Sequence, residues 1–375
     1  MIYLDNAGTT RVYDEAIEAM KEVYSNTFFN PSSTYKDALA VKKLISESRA
    51  VIAQKLGCAP NEIYFTSCAT ESNNWALTSG FKNKRGNLVV SSGEHACVYE
   101  CAKNLKNKGF DVRFAPLNSD GTVSLPALLS LVDENTCLVS VIHTSNETGV
   151  INDIESISRA VKAKNKNVIM HSDGVQAYLK TNCSVKKLGV DLYSISGHKI
   201  GAPKGIGALY VNSKIKLQPL LFGGGQESGM RSGTENVGGI VALAKATQIY
   251  AQSSSEEMLK RRDLLVNLLK EIDDVTILSE SATRSHSIVT VVALNTKAEI
   301  LQTMCADDGV IIGRGSACAS HHSGNRVLSE MGLTQRQIDG AIRISLSPQT
   351  SDEDIRQAVR IIDKNITKLR GHNIG

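Results

Sequence analysis

Through roughly its first 250 residues, this chain alternates short apolar runs rich in β-branched residues with longer amphipathic segments. Seven of the runs have the length of a strand, and helical patterns at 71–82, 96–108 and 154–164 separate several of them. The seven predicted strands lie at 62–66, 87–91, 111–115, 137–143, 167–171, 191–195 and 207–211. Strands spaced by helices favour an α/β fold, with a mainly parallel seven-stranded sheet covered by helices on both faces.

The pattern changes after about residue 250, where helices become longer and strands rarer. The later predicted elements are helices at 235–252 and 256–272, a strand at 287–293 and a final helix at 351–369. A polar stretch at 253–255 marks the change, and 375 residues are enough for two stable cores. We predict a large domain of residues 13–253 and a smaller α+β domain of residues 1–12 and 254–375.

The charge of the chain gives no sign of a nucleic-acid partner, because 42 basic and 38 acidic residues leave a net charge of only +4. No stretch approaches the ~20 consecutive apolar residues that a membrane-spanning helix needs. The first residues, MIYLDNAGTT, resemble neither a signal peptide nor a membrane anchor. We therefore expect a cytoplasmic protein with no membrane contact and no direct nucleic-acid binding.

The chain contains eight cysteines, and in a reducing cytosol free, mostly buried thiols are expected rather than disulfides. Cys97 and Cys101 lie four residues apart on one face of a predicted helix. Two packed thiols are a simpler interpretation of this spacing than a disulfide or a metal pair. No C-x-x-C motif occurs, so a zinc ribbon has no support.

Polar residues cluster where the predicted strands end. In open α/β sheets, ligands bind beyond the carboxyl ends of the strands. The informative positions at such ends are 66–70, Glu94, His95, Asn146, Asp173 and 196–199. Because these ends meet at one edge of a parallel sheet, we predict that the side chains surround one ligand site.

Lys199 lies in the segment Ser196-Gly197-His198-Lys199, directly after an apolar strand. Lysine forms Schiff bases with carbonyl cofactors once its site lowers its pKa. The flanking serine, glycine and histidine form a compact donor cluster of the kind that the phosphate and aldehyde of pyridoxal phosphate need. The alternative is an ordinary surface lysine, and the flanking residues weigh against it.

Asp173 ends the run NVIMHSD, and a carboxylate that leaves a buried strand is costly unless it is paired. One partner is the pyridine nitrogen of pyridoxal phosphate, which acts as an electron sink. The other interpretation is a helix N-cap for the residues that follow. The sequence does not decide between the two.

Thr70 and His95 also follow strands. Small residues that lead into a helix N-terminus at Thr70 form an anion site from backbone N–H groups and the helix dipole, although simple capping by Thr70 is the alternative. His95 has the position to lay its imidazole against an aromatic cofactor, and a purely structural histidine is the alternative.

Cys318 lies in the small, polar segment 313–320, which suggests an exposed thiol. Beside Arg314, His321 and His322, such a thiol has the conditions for a lowered pKa and for nucleophilic reactivity. An incidental loop cysteine is the alternative. A zinc site of Cys318, His321 and His322 is a third interpretation, but adjacent histidines rarely bind one ion and a fourth ligand is missing.

Arg343 alternates with apolar residues in the strand-like run 341–345. A buried arginine needs a carboxylate partner. A substrate carboxylate held by the guanidinium fork fits this need, and a structural ion pair fits it as well.

Taken together, these residues resemble the cysteine desulfurases of the NifS/IscS type, within the class-V aminotransferase family and pyridoxal-phosphate fold type I. The likeness covers nearly the whole chain and is highly specific. The motifs that carry it are YLDNAGTT at 3–10, NPSS at 30–33, ATES at 69–72, EHACV at 94–98, SNETG at 145–149, SDGVQA at 172–177, SGHKIGAPKGIGALY at 196–210, GGGQESGMRSGTEN at 223–236 and GSACAS at 315–320.

The resemblance implies pyridoxal phosphate as cofactor and assigns it a set of contacts. Lys199 resembles the lysine that bonds to the cofactor, His95 the catalytic histidine that stacks on its ring, and Asp173 the partner of its pyridine nitrogen. The other implied contacts are Gln176 to the ring hydroxyl, Thr70, Ser196 and His198 to the phosphate, Ala69 and Asn146 to the cofactor, and Thr234 to the phosphate from the other subunit of a homodimer.

The resemblance also implies a reaction. L-cysteine is converted to L-alanine, Asn146 and Arg343 hold the substrate carboxylate, and Cys318 takes the sulfur as a persulfide for an acceptor protein. Iron–sulfur assembly, tRNA thiolation, cofactor sulfuration and DNA phosphorothioation all draw on such persulfides. Rival functions are a selenocysteine lyase or small aminotransferase of the same fold, and a non-catalytic sulfur-relay scaffold, which the presence of Lys199 disfavours.

Three positions depart from the pattern of the resembled family. Cys68 stands where glycine is usual, close to the predicted phosphate loop. Ser145 replaces a common asparagine, and the segment after Cys318 continues unusually with His321 and His322. These departures bear on the choice of sulfur acceptor and leave the core reaction unchanged.

Overall fold

The computed structural model describes residues 1–80, 86–314 and 326–372. Within these residues the chain forms two sheets. The strands are β1 Ile2–Leu4, β2 Ile63–Thr66, β3 Asn87–Ser91, β4 Asp111–Ala115, β5 Thr136–Ser140, β6 Ile169–Asp173, β7 Leu192–Ser196, β8 Gly207–Val211, β9 Val275–Ile277, β10 Ile288–Ala293, β11 Val310–Arg314 and β12 Ala341–Ser345.

The larger sheet has seven strands in the order β2-β8-β7-β6-β5-β3-β4. Strand β8 is antiparallel to both of its neighbours, and the other recorded pairings in this sheet are parallel. The carboxyl ends of β2, β7, β6, β5 and β3 therefore lie at the same edge. The α/β fold with a mainly parallel seven-stranded sheet is confirmed.

Helices pack against both faces of this sheet and, later in the chain, against the second sheet. Their bounds are α1 Asp14–Asn26, α2 Lys36–Leu56, α3 Ala69–Gly80, α4 Ala96–Asn107, α5 Leu125–Leu131, α6 Ile154–Lys164, α7 Val185–Leu188, α8 Val237–Tyr250, α9 Ser255–Lys270, α10 Ala298–Asp307, α11 Arg326–Glu330, α12 Gln335–Asp339 and α13 Asp352–His372. Along the described residues, no helix is both long and apolar enough to cross a membrane.

The period of two along each strand divides the core of the large sheet between its faces. In β3, Val89 packs in one apolar cluster with helices α2, α6 and α8, while Leu88 and Val90 pack in another with α3 and α4. All five residues of β3 are buried. Both faces of the sheet are therefore covered, which is why the middle of β3 is a continuous apolar run rather than an alternating one.

A second sheet has five strands in the order β1-β11-β12-β10-β9. Strand β1, at the start of the chain, pairs with β11 in parallel. This pairing carries the segment after β1 toward Ser345, whose backbone carbonyl accepts a hydrogen bond from Asn6 Nδ2 at 2.8 Å. The segment 5–10 thereby passes between the second sheet and Lys199.

Three predicted strands, at 87–91, 111–115 and 207–211, match the observed β3, β4 and β8. Strand β5 ends at Ser140, three residues before its predicted end, and β6 runs to Asp173, two residues beyond. Helix α6 has the predicted bounds, and α3 begins at Ala69, two residues before the prediction. The proposed division into two domains stays a prediction.

Candidate active site

A pocket of about 280 Å³ opens at the carboxyl-end edge of the large sheet. All the predicted site residues line it except Thr234 and Cys318. Cys318, like His321 and His322, lies outside the described residues. The pocket walls are Ala7, Gly8, Cys68, Ala69, Thr70, His95, Ala96, Cys97, Glu100, Ile142, Asn146, Glu147, Asp173, Val175, Gln176, Ser196, His198, Lys199, Arg326 and Arg343. The structure therefore brings the predicted strand-end residues together at one site.

Lys199 ends a single 3-10 turn that directly follows β7. Its Nζ donates to the carbonyl oxygens of Ala7 and Gly8, each at 2.6 Å. These carbonyls belong to the segment after β1, so the start of the chain fixes the position of the lysine amine. The surface-lysine alternative does not describe this side chain, because Lys199 is partly buried and lines the pocket.

Asp173 ends β6 and is 3% exposed. Its Oδ2 accepts from Asn73 Nδ2 at 2.7 Å, and its Oδ1 accepts from the backbone N–H of Val175 at 3.0 Å. The second bond is the kind of cap that the sequence offered as an alternative, although turns rather than a helix follow Asp173. The carboxylate is thus oriented by two donors and still lines the pocket.

Gln176 is held from both ends of its amide. Its Nε2 donates to the carbonyl oxygen of Ala7 at 2.9 Å, and its Oε1 accepts from Lys180 Nζ at 3.1 Å. Lys180 is only 8% exposed. Burial, with a smaller contribution from the charge of Lys199, lowers the pKa of Lys180 to about 7. A buried amine of weakened basicity therefore fixes the orientation of Gln176.

His95 caps the first turn of α4, because its Nδ1 accepts from the backbone N–H of Cys97 at 3.2 Å. The same Nδ1 lies 3.0 Å from Cys97 Sγ. Burial is the main cause that lowers the pKa of His95, and the charges of Lys199 and Arg326 act in the same direction. The ring is therefore neutral around pH 7, and it lines the pocket while also serving the helix.

The prediction of two packed free thiols at Cys97 and Cys101 is confirmed. Both are free, Cys101 lies in the buried apolar core, and Cys97 packs against the same apolar cluster. Cys97 also lines the pocket beside His95, a role that the sequence analysis did not assign to it. The sequence feature that could have indicated a place for Cys97 in the site is its position in the first turn of a helix that begins directly after the strand-end histidine His95. Burial raises the pKa of the Cys97 thiol to about 12, with a further contribution from Asp173.

The amino terminus of α3 faces the pocket through Cys68, Ala69 and Thr70. Thr70 is the second residue of the helix, so the alternative in which it precedes the helix as a cap is wrong. The Cys68 backbone passes close to Gly207, where a Cβ atom would lie 3.0 Å from the Cys68 carbonyl carbon. Glycine at 207 therefore lets this loop lie against the start of β8.

Ser196 and His198 complete the same side of the pocket. His198 Nδ1 lies 3.1 Å from Thr9 Oγ1. Burial, together with the charge of Lys199, lowers the pKa of His198 to about 3. A helix amino terminus, hydroxyl groups and a neutral imidazole form a donor set of the kind that binds a phosphate group.

Arg343 lies on β12 and is 1% exposed. Its Nη2 donates to Asp5 Oδ1 at 2.8 Å, and its Nη1 donates to the carbonyl oxygen of Asn146 at 2.8 Å. The structural ion pair that the sequence offered as an alternative is therefore present. Arg343 also lines the pocket, and its buried Nε has no hydrogen-bond partner among the described residues.

Glu147 and Arg326, near the pocket, were not singled out from the sequence, whereas Glu94 was named as a strand-end position without a specific role. Burial raises the pKa of Glu147 to about 7, and burial together with Asp173 raises the pKa of Glu94 well above its usual value. Arg326 begins α11, stacks its guanidinium carbon 3.8 Å from the Tyr99 ring centroid and donates to the Glu94 carbonyl oxygen. Glu147 adjoins Asn146, a residue of the predicted site, and this was the only sequence signal for it.

Thr234 lies apart from this pocket. It is exposed and lines a separate depression of about 140 Å³ together with Ser67 and Arg231. Arg231 Nε donates to Glu71 Oε1 at 2.8 Å, which ties this loop to the start of α3. Within a single chain Thr234 does not reach the 280 Å³ pocket.

The residues present fit pyridoxal phosphate. A lysine amine, an oriented buried carboxylate and a phosphate-type donor set line one pocket, and the Nε of Arg343 is left for a further acceptor. Within the described ranges, no group of three or more histidine, cysteine or acidic side chains could hold a metal ion. The zinc interpretation of Cys318, His321 and His322 falls outside those ranges.

Comparisons with known proteins give a consistent result. The profile of the class-V aminotransferases matches residues 2–358. The cysteine desulfurase IscS of Methanosarcina thermophila is 37% identical over 376 residues, covering 98% of this chain and 93% of its own length. A solved NifS-like protein superposes with a TM-score of 0.92 and 36% identity, covering 98% of this chain and 99% of its own. A structure described as SspA in complex with cysteine has a TM-score of 0.82 and 30% identity, covering 94% of this chain and 100% of its own.

Proposed function

From the premise that this chain belongs to the class-V aminotransferase family, we propose that it is a cysteine desulfurase in which Cys318 takes the sulfur. The cofactor is pyridoxal phosphate, and the reaction converts L-cysteine to L-alanine. The observation that carries the proposal is the pocket in which Lys199 and Asp173, from the ends of neighbouring strands, lie with the amino terminus of α3. Relatives at 37% and 34% identity over nearly their whole length carry the name cysteine desulfurase.

Pyridoxal phosphate, when bound, supplies an electron sink that stabilises negative charge on the substrate carbon next to the amine. Lys199 would hold it covalently, and Asp173 would keep its ring nitrogen protonated. Gln176 would donate to its ring hydroxyl, with its amide already fixed by Ala7 and Lys180. The remaining proposed holders are His95 against the ring, Asn146 beside it, and Ala69, Thr70, Ser196 and His198 around the phosphate.

Arg343 and Asn146 are the proposed holders of the substrate carboxylate. Hydrogen bonds to Asp5 and to the Asn146 carbonyl already fix the Arg343 guanidinium, so the direction of its Nε–H is set before a substrate binds. A guanidinium that is oriented in advance loses little side-chain entropy when it binds a carboxylate. Lys199 Nζ, which lies in the same pocket, is the proposed base for the proton on the substrate Cα.

Cys318 is proposed to attack the sulfur of the substrate as a thiolate. A sulfur–sulfur bond forms, the Cβ–S bond breaks, and its electron pair stays with the carbon, which takes a proton. One cysteine and one Cys318 thiol thus give one alanine and one Cys318 persulfide, with no external oxidant. The persulfide then passes to an acceptor protein of iron–sulfur assembly, tRNA thiolation, cofactor sulfuration or DNA phosphorothioation.

The proposal is tested by Cys318→Ala in the pyridoxal-phosphate-loaded protein. We expect the variant to keep the absorption band of the bound cofactor and to lose multiple-turnover alanine formation, with persulfide absent from position 318 by mass spectrometry. Cys137→Ala is the matched control, because Cys137 is a free, partly exposed thiol that does not line the pocket. A Cys318→Ala variant as active as Cys137→Ala would refute the role of Cys318. Selenocysteine as a parallel substrate separates a lyase from a desulfurase.

A homodimer is proposed from the exposed apolar surface near Thr234. Phe222 is 85% exposed, Phe28 66% and Tyr24 59%, and Tyr24 Oη hydrogen-bonds Asn236, next to the Thr234 loop. Several large apolar side chains with this much exposure are typical of an interface. A second copy that covers them would carry Thr234 toward a neighbouring pocket. Phe222→Glu is expected to give a monomer in light scattering and to weaken cofactor binding.

The proposed location is the cytoplasm. The seven cysteines in the described part of the chain are all free thiols, which supports a reducing compartment.

A further inference from the structure

A continuous set of hydrogen bonds joins Asp173 to His95. Asn73 Nδ2 donates to Asp173 Oδ2 at 2.7 Å and to Cys97 Sγ at 3.2 Å. Cys97 Sγ in turn lies 3.0 Å from His95 Nδ1, which also accepts from the backbone N–H of Cys97 at 3.2 Å. The thiol of Cys97 is therefore the side-chain link between the two groups assigned to the cofactor ring.

The direction of each bond follows from the groups themselves. Asn73 is fully buried, and its Oδ1 has no partner among the described residues. Rotating the amide by 180° would place that oxygen against the Asp173 carboxylate, so the carboxylate keeps Nδ2 facing it. Both hydrogens of Asn73 Nδ2 are then donated in hydrogen bonds, one to Asp173 Oδ2 and one to Cys97 Sγ. Sγ is consequently an acceptor from Asn73.

The thiol is also a donor. Burial keeps the pKa of Cys97 near 12, so its proton stays in place around pH 7. The backbone N–H of Cys97 points at His95 Nδ1, which requires a lone pair on that nitrogen. The S–H of Cys97 has two neighbouring acceptors, the same lone pair at 3.0 Å and the Thr70 hydroxyl. With Nδ1 acting as acceptor, the proton of the neutral ring must lie on Nε2.

We propose that Cys97 is a positioning residue that fixes His95 as the Nε2–H tautomer and holds the plane of its ring in the pocket. The inference rests on the proposed function for its catalytic meaning, and on the observed contacts for its geometry. A side chain without a donor at position 97 would leave only the backbone N–H on Nδ1. Serine would keep a donor, although with a shorter bond to Cβ.

The charged and titratable groups around His95 come from several elements. Asp173 ends β6 and Lys199 follows β7, while Arg326 begins α11 and Arg343 lies on β12. None of these is altered by a change at position 97. A difference in the protonation of His95 between variants at this position therefore reports the Cys97 contact.

The test compares wild type, Cys97→Ala and Cys97→Ser as pyridoxal-phosphate-loaded proteins labelled with ¹⁵N-histidine. Long-range ¹H–¹⁵N spectra across pH 6–9 identify which ring nitrogen carries the proton, and His95→Gln assigns the signal. We expect the Nε2–H form in wild type and in Cys97→Ser. In Cys97→Ala the backbone N–H still requires the Nδ1 lone pair, so we expect the Nε2–H form to remain and the pKa of His95 to rise by roughly 0.5–1 unit, from the loss of one hydrogen bond to the neutral ring.

Cys101→Ala is the control, since Cys101 lies on the same helix one turn later and outside the pocket. It should keep the wild-type spectrum and the wild-type pH profile of kcat/KM, whereas the acid limb of Cys97→Ala should move upward with the pKa of His95. A wild-type ring protonated on Nδ1, or a Cys97→Ala ring that titrates like that of Cys101→Ala, overturns the proposal. If the expected spectra accompany a wild type that forms no alanine, the proposed function fails and the assignment of Cys97 stands.

Discussion

Replacing Lys180 by methionine should change how the stability of this protein depends on pH. Lys180 is 8% exposed, and its Nζ donates to Gln176 Oε1 at 3.1 Å. No acidic side chain supplies that contact, so the charged form of the amine is costly in the folded chain. Methionine has a similar length and no charge, and it removes this cost.

The size of the effect follows from the pKa of Lys180. Burial lowers it from 10.5 in the ordinary case to about 7 in the folded chain. Between these two values the unfolded chain binds a proton that the folded chain does not, so the free energy of unfolding rises with pH. The slope is ~1.4 kcal/mol per pH unit, and the destabilisation is greatest below pH 7 and lost above about pH 10.5. From pH 7 to pH 9 the wild type should therefore gain roughly 2 kcal/mol that Lys180→Met does not gain.

Urea unfolding of the cofactor-free proteins at pH 7 and pH 9, at one protein concentration, measures this difference. Other titrating groups are common to both proteins and cancel in the comparison. Lys204→Met is the control, because Lys204 is exposed. If the stability difference between Lys180→Met and wild type is the same at both pH values, or follows that of Lys204→Met, the argument from burial is wrong.

Three further changes have defined outcomes. Arg343→Ala should lower the free energy of unfolding by about 3 kcal/mol and should raise KM for cysteine. The value is at the low end for a broken buried ion pair, because the side chain of the partner, Asp5, is 24% exposed. Gly174→Ala would place a Cβ 2.0 Å from the Tyr193 ring and should cost roughly 1–3 kcal/mol by thermal unfolding, while Gly371→Ala, in open space, should cost little. In the wild type, the Glu147 carboxyl of the folded chain has a pKa of about 7 and keeps a proton that the unfolded chain has already lost, so the free energy of unfolding falls as pH rises toward 7. Glu147→Gln should reduce this fall, measured by urea unfolding between pH 5 and pH 7.

Much of the fold could be predicted because the large sheet is covered on both faces. A strand buried on both sides is mainly apolar through its middle, so β3 and β8 stand out in the sequence and their bounds were predicted correctly. The errors arose where a strand ends in polar residues. Strand β6 runs through His171 and Ser172 to Asp173, and composition alone ends it too early. The pairing of β1 with β11 joins residues more than 300 positions apart, which no local pattern indicates.

The site could be predicted as far as it follows from strand ends. Lys199, Asp173 and His95 all lie just beyond or at the end of a strand, and the structure brings them to one pocket. Asn73 and Arg326 could not be found in this way. Asn73 reaches the site from one turn inside α3, and Arg326 reaches it from the start of a helix in the later part of the chain. Their positions depend on how helices pack against the sheet, which the sequence does not specify locally.

For several residues the sequence offered a structural and a functional interpretation as rivals, and the structure shows why they do not exclude each other. Asp173 caps the turn that follows it, His95 caps α4, and Arg343 forms an ion pair with Asp5. A polar group in a water-poor pocket is costly unless it has a partner within the protein. The same partner fixes the direction in which the remaining atoms of the group point, and a group with a fixed direction binds a ligand at lower entropic cost. A structural contact at such a residue is therefore evidence for a functional role when one of its atoms still faces the pocket, as Arg343 Nε is proposed to do.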